Sequence, residues 1–170
     1  MWFGHMIAGI SMPPNRGISD KEIDMRVFIL LCVILFGSPA VAQSWSEPAR
    51  GTATRSALMD ALRPHVMWVL GSPIEFVVYD LRQSGNLAFA SVYPQRPGGA
   101  EINLRETPAF QRGDLEPEFM DGLAVQALYY KSGQTWVAVH WALGATDVWY
   151  AYDPICASWR KVIPDACEGL

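Results

Sequence analysis

Between Met25 and Gln43 the chain carries Arg26, ten apolar residues from Val27 to Phe36, a break at Gly37-Ser38-Pro39, and the small-x-small triplet Ala40-Val41-Ala42. This is the three-part layout of a secretory signal peptide with cleavage between Ala42 and Gln43. It constrains the fold more than any other feature. It confines the folded domain to residues 43–170 and places it where disulfides form and persist, with the periplasm as the expected compartment. A retained membrane anchor is the competing reading. Spanning the hydrocarbon core takes about 20 apolar residues, and this run is about half that before Gly37 and Pro39 interrupt it. Cys32 lies inside the run behind bulky Leu31, which argues against a lipid anchor. Contact with the membrane is therefore expected to be transient.

Residues 1–24 sit awkwardly in front of such a segment. They include Pro13, Pro14, Asn15 and Gly17, and the acidic Asp20, Glu22 and Asp24 lie next to the positive start. The simplest reading is a translation start at Met25, with the upstream stretch a mis-assigned or disordered extension. A long n-region is the alternative.

Charge and cysteine usage bound the function classes. The formal net charge of −4 is unchanged by removing the leader, because Arg16, Lys21 and Arg26 balance Asp20, Glu22 and Asp24. The basic residues of the remaining chain are scattered from Arg50 to Lys161 without a run, which excludes a nucleic-acid or anionic-membrane surface as the expected partner. Cys156 and Cys167 remain as a pair, and in an oxidising compartment they are expected to form a structural disulfide. Their spacing does not match C-x-x-C. His65 and His140 are the histidines left to accompany them, so neither a redox pair nor a metal site is favoured.

The periodicities describe an α+β domain. Residues 43–53 read as a disordered polar lead-in, and Thr54 as a helix N-cap. Leu58, Ala61, Leu62, His65, Val66 and Val69 then form one helical stripe ending at Gly71-Ser72-Pro73. Pro64 predicts one bent helix or two short ones. Ile74–Asp80 and Leu87–Tyr93 read as a hairpin across Gly85-Asn86. Residues 94–121 are irregular, with Ile102–Leu104 as a candidate edge strand and Pro117–Met120 as a helical turn. So long an irregular connection suggests a lid or the rim of a site. Leu123–Lys131 and Thr135–Leu143 form a second hairpin across Ser132-Gly133. Alternation predicts Val137, Val139, Trp141 and Leu143 on one face, with Trp136, Ala138, His140 and Ala142 on the other. Both faces are apolar, so helix should cover one, and loops, a ligand or a partner the other. The disulfide staples the tail.

No G-x-S-x-G, H-E-x-x-H, P-loop or dinucleotide fingerprint occurs, and no cofactor is implied. A candidate catalytic pair is His140 with Asp147, a strand histidine whose basicity a nearby carboxylate would set. Each has a structural alternative: His140 as a half-buried strand residue, and Asp147 with Thr146 as a turn former. Glu75 and Asp80 read as solvated ends of a strand. Of the six tryptophans after the leader, Trp68 and Trp136, with Trp149 and its neighbour Tyr150, are the candidate lining of an apolar ligand pocket. Plain core packing is the alternative.

A bent helix followed by four to five antiparallel strands resembles the cone of the NTF2-like and cystatin-like superfolds, in which a curved sheet wraps a helix. The segments Arg63-Pro-His-Val66, Phe76–Arg82, Leu87–Ser91 and Trp136–Val148 are similar to a group of uncharacterised exported proteins of Gram-negative bacteria. That resemblance implies a periplasmic setting and no reaction. The wider superfold includes isomerases, dehydratases and ligand-binding domains, and its acid/base pair would map onto His140 and Asp147. The leading expectation is a non-enzymatic domain that binds a small apolar ligand or a partner protein through the concave face of the sheet and the 94–121 loop. The alternatives are a lyase, isomerase or hydrolase using His140 and Asp147, or an inhibitor or accessory subunit acting by edge-strand pairing.

Overall fold

The computed structural model describes residues 44–170, within a compact unit that runs Gln43–Leu170. The expected signal segment 25–42, its cleavage site at Ala42 and Gln43, and the 1–24 extension lie outside the described residues. Among the described residues the fold is α+β: an open four-stranded antiparallel sheet in the order β1-β2-β3-β4, with three α-helices.

Helix α1 (Ala53–Leu70) is capped by Thr52, whose side chain accepts from the Arg55 N–H, so the cap lies two residues before the expected Thr54. The helix runs unbroken through Pro64. It buries Leu58, Met59, Leu62, Val66 and Leu70. At its end Gly71 adopts a φ of 78°, and Arg96 reaches back from the sheet to close the terminus. Its Nη2 donates to the Leu70 carbonyl at 2.8 Å and its Nη1 to that of Gly71 at 2.7 Å. Carbonyls that the helix leaves without partners are thus bonded by a cation at the end where the helix dipole favours one.

Strands β1 (Glu75–Ser84) and β2 (Leu87–Gln95) pair across the two-residue turn Gly85-Asn86. The first strand thus extends four residues past the expected Asp80. Strands β3 (Val125–Ser132) and β4 (Thr135–Leu143) form the second hairpin. The candidate edge strand Ile102–Leu104 is not a strand. Ile102 is buried as irregular chain against the α1 core, and Leu104–Glu106 is a 3-10 turn capped by Asn103. The long connection also holds helix α2 (Pro108–Arg112) and a 3-10 turn at Pro117–Phe119, where a helical turn was expected.

The alternation expected along β4 fails halfway. Tyr129 pairs with Ala138 but Leu128 pairs with His140, so Val139 is an extra residue bulged out of the ladder. Trp136 and Ala138 lie in the α1 core, and after the bulge Trp141 and Leu143 pack against that same core. Val137, Val139 and His140 are left exposed. A second bulge, at Tyr79 in β1, shifts the register between Val78 and Asp80.

The sheet face away from α1 is covered by the tail. Helix α3 (Asp153–Trp159) and the turn Asp165–Cys167 are joined by the Cys156–Cys167 disulfide, as expected. Ile155, Val162 and Ile163 pack with Phe89 and Leu128, so this cap is a second small core. The 44–52 lead-in, expected as disordered, carries specific contacts. Ser46 exchanges two backbone hydrogen bonds of 2.9 Å with Gln83 on the outer edge of β1, and the Ser44 hydroxyl donates to the Lys161 carbonyl.

Two predictions follow from this packing. With a sequence separation of 11, the disulfide should contribute about 3 kcal/mol by constraining the unfolded chain. Denaturant midpoints with and without reductant measure it, and equal midpoints would refute the role. Tyr129 is fully buried, its hydroxyl has no hydrogen-bond partner, and burial raises its pKa well above the ordinary phenol value of 10.0. Folded Tyr129 therefore holds its proton where the unfolded chain releases it. Its titration leaves stability unchanged below pH 10 and lowers it progressively as pH rises above that value. Tyr129→Phe removes the unpartnered hydroxyl and should raise stability by about 1 kcal/mol while flattening the alkaline fall; thermal melts from pH 8 to 11 read both.

Candidate functional site

Where the end of α1, the 114–120 segment and the end of β4 meet, they leave a cleft of about 510 Å³, within the usual range for ligand sites. Apolar Val69, Leu115, Phe119, Met120, Trp141, Ala142 and Leu143 line it, with the exposed Asp114 and Glu116 at its rim. Phe119 is 76% exposed. Trp68, 69% exposed, does not line the cleft, and its ring lies 4.7 Å beneath the Arg112 guanidinium. Arg112 in turn pairs with Asp114 at 2.7 Å.

Local chain geometry makes this cleft. The β4 bulge turns Trp141 to the α1 side, where its ring packs on that of His65 with centroids 5.6 Å apart. Gly144 then fixes the loop. Its N–H donates to the Ala124 carbonyl at 2.8 Å, and its carbonyl accepts from the Asp121 N–H at 2.9 Å. At a φ of +62° it has no space for a side chain: a Cβ would stand 2.6 Å from Met120 Cε and 2.7 Å from the Gly122 carbonyl oxygen.

A second cleft, of about 430 Å³, lies on the opposite face under the C-terminal cap. Its centre is Arg82, whose Nε donates to both Asp80 oxygens at 3.1 and 2.9 Å and whose Nη1 donates to Asp165 at 3.1 Å. The guanidinium lies 4.7 Å from the centroid of the Trp45 ring and 5.8 Å from that of Phe89. Desolvation pulls its pKa down, but the hydrogen bonds and charges of Asp80 and then Asp165 outweigh this and hold it above its ordinary value. Tyr150 on the same wall is raised by burial, with Arg82 opposing and Asp80 adding to the shift. This satisfied ion network ties β1 to the tail. A third cleft, between α1 and β1, is lined by Arg50, Arg55, Arg63 and Phe76.

The structure disperses the residues singled out in the sequence. His140 is exposed on the cap side, its ring edge-on to Trp159 with centroids 5.3 Å apart. Asp147 is exposed in the 144–150 turn. Among the described residues, no hydrogen bond or ion pair joins the two, and neither lines any of these three clefts. Trp136 is buried beneath Lys131 in the α1 core, and Trp68 stands on the outside of the helix. Trp149 and Tyr150 do meet, edge to face with centroids 5.3 Å apart, in the cap on the other side of the sheet. Among the described residues, no cluster of His, Cys, Asp and Glu is arranged to hold a metal ion. No described helix is long and apolar enough to cross a membrane.

Sequence reasoning missed Leu115, Phe119 and Met120 as a cleft wall, and Arg82 as the centre of an ion network. Asp80-x-Arg82 gave a signal for the latter, since residues two apart on a strand share a face. Gly144→Ala should cost about 2 kcal/mol or more, through the left-handed φ and the close approach to Met120 and Gly122, and should loosen the 114–122 loop. A melting temperature unchanged from wild type would refute the close-packed junction. No protein-family model, curated protein or solved structure matches this chain.

Proposed function

We infer that this is an exported, non-enzymatic binding domain, and that it holds an apolar group in the cleft between α1, the 114–120 segment and the end of β4. One observation carries the reading: an apolar-floored cleft with an exposed phenyl ring on its wall, at the junction of the sheet's helix side with the long irregular loop. The α1 side chains fill the central part of that sheet face, and of the two clefts at its margins this is the one lined mainly by apolar side chains, whereas the α1–β1 cleft is lined by Arg50, Arg55 and Arg63. Function as an enzyme draws less support, because His140 and Asp147 stand apart in solvent.

Export is supported by the sequence of the 25–42 segment and by the disulfide. The order helix, hairpin, long loop, hairpin is the observation behind the proposed likeness to the NTF2-like and cystatin-like cones, and the proposed likeness to exported proteins of Gram-negative bacteria rests on the sequence segments alone.

The uncharged fluorescent probe N-phenyl-1-naphthylamine tests the binding reading. Wild-type protein should enhance its emission saturably at one site. Phe119→Ser, at a solvent-exposed position, should weaken that binding about fivefold or more with an unchanged melting temperature. Absence of saturable enhancement, or equal binding by Phe119→Ser, would overturn the reading.

A further inference from the structure

We propose that the natural occupant of the α1–β4 cleft is an extended segment of another protein that inserts a bulky apolar side chain and flanks it with lysine or arginine. This rests on the binding reading above and adds the chemistry and form of the partner.

Charge is the first argument. Residues 114–121 read Asp-Leu-Glu-Pro-Glu-Phe-Met-Asp, so the segment that supplies Leu115, Phe119 and Met120 to the cleft also carries four carboxylates, of which Asp114 and Glu116 line it. Asp114 and Glu118 are paired with Arg112 and Arg105, each at 2.7 Å. Glu116, on the rim, and Asp121 have no ion-pair partner among the described residues. The local excess is therefore negative, and the chain as a whole carries −4. An apolar floor with an acidic rim attracts a cationic segment and repels an acidic one.

The second argument is the edge beside the cleft. Strand β4 is the last in the sheet order, and among the described residues nothing pairs with its outer side, whereas Ser46 bridges the outer side of β1. From Thr135 to Leu143 it has no acidic residue, lysine, arginine or proline, the usual devices that keep an edge from pairing. Trp141, Ala142 and Leu143 belong both to that edge and to the cleft. A segment that adds to β4 through its backbone therefore delivers alternate side chains to the cleft, with main-chain hydrogen bonds supplying affinity and the cleft supplying selectivity. The exposed Phe119 on the cleft wall offers such a segment a further apolar contact.

Fluorescence anisotropy with three labelled synthetic peptides tests this: a central phenylalanine flanked by lysines, the same peptide with glutamates for lysines, and the lysine peptide with glycine at its centre. The lysine–phenylalanine peptide should bind at least tenfold tighter than either control, and tighter at 50 mM than at 500 mM salt. The Glu116→Gln/Asp121→Asn double variant should lose about fivefold of that affinity. Probe binding without discrimination among the peptides, or equal peptide binding by the double variant, overturns this inference and leaves the cleft reading standing. Failure of the neutral probe overturns both. Concentration-dependent dimerisation that blocks the lysine–phenylalanine peptide would make a second copy the occupant and also refute the proposal.

Discussion

The extra residue at Val139 is the constraint on which the candidate cleft depends. A strand without it would continue its alternation and send Trp141 and Leu143 to the side opposite Trp136 and Ala138. With the bulge, all four serve the α1 side, and the last turn of the helix acquires the indole and leucine that floor the cleft. The same event leaves Val139 and His140 together on the other side, where Trp159 lies against the imidazole. The Trp159 indole N–H also donates to the Tyr129 carbonyl at 3.2 Å, beside the point where the ladder is interrupted. A local break in pairing is thus matched by a donor from the tail, as buried backbone groups require.

That tail turns a two-layer fold into a three-layer one over part of the sheet. Phe89 and Leu128 on the central strands would be open to water without Ile155, Val162 and Ile163. A short tail has little apolar surface with which to hold itself there, so the cross-link between Cys156 and Cys167 reduces the entropy it loses on docking. Arg82 adds a directional tie, since its bonds to Asp80 and Asp165 set the turn before Cys167 against β1. Asp165 is largely exposed, and an ion pair so placed contributes little stability. Its part is to fix the direction in which the turn before Cys167 meets β1.

The elements legible in the sequence were those whose signal is local. The stripe from Leu58 to Val69 announced α1, Gly85-Asn86 and Gly133 marked the hairpins, and the isolated cysteine pair fixed the disulfide. The chain did not announce the bulges. Nothing in Trp136-Val-Ala-Val-His-Trp141 distinguishes an extra residue from a regular strand, because the choice is made by what α1 and β3 present to it. The cap position at Thr52 was missed because Thr54 satisfies the same rule two residues later. Ile102 looked like strand because β-branched, buried and extended residues read alike, whether they pair or merely plug a core. The cleft was less legible still. Leu115, Phe119 and Met120 sit in a segment without periodicity, and only the Gly144 junction, a contact across the fold, brings them to Trp141.

The two edges of the sheet show why the open one draws attention. On β1 the edge is managed: Ser46 occupies part of its backbone, Tyr79 bulges it, and the strand carries Glu75, Asp80 and Arg82. On β4 the bulge at Val139 is the one such device among the described residues, and it stands in the middle of the strand rather than at the end beside the cleft. The segment after it, Trp141-Ala-Leu143, is uncharged and adjoins the acidic 114–121 loop. An unprotected edge with no further chemistry nearby would invite indiscriminate pairing, copies of this chain included. Carboxylates beside it alter that balance. Each added copy would bring a second acidic loop toward the first, whereas a basic segment would meet charge of the opposite sign. The acidic loop thus acts as a filter on an edge that backbone chemistry alone leaves unselective.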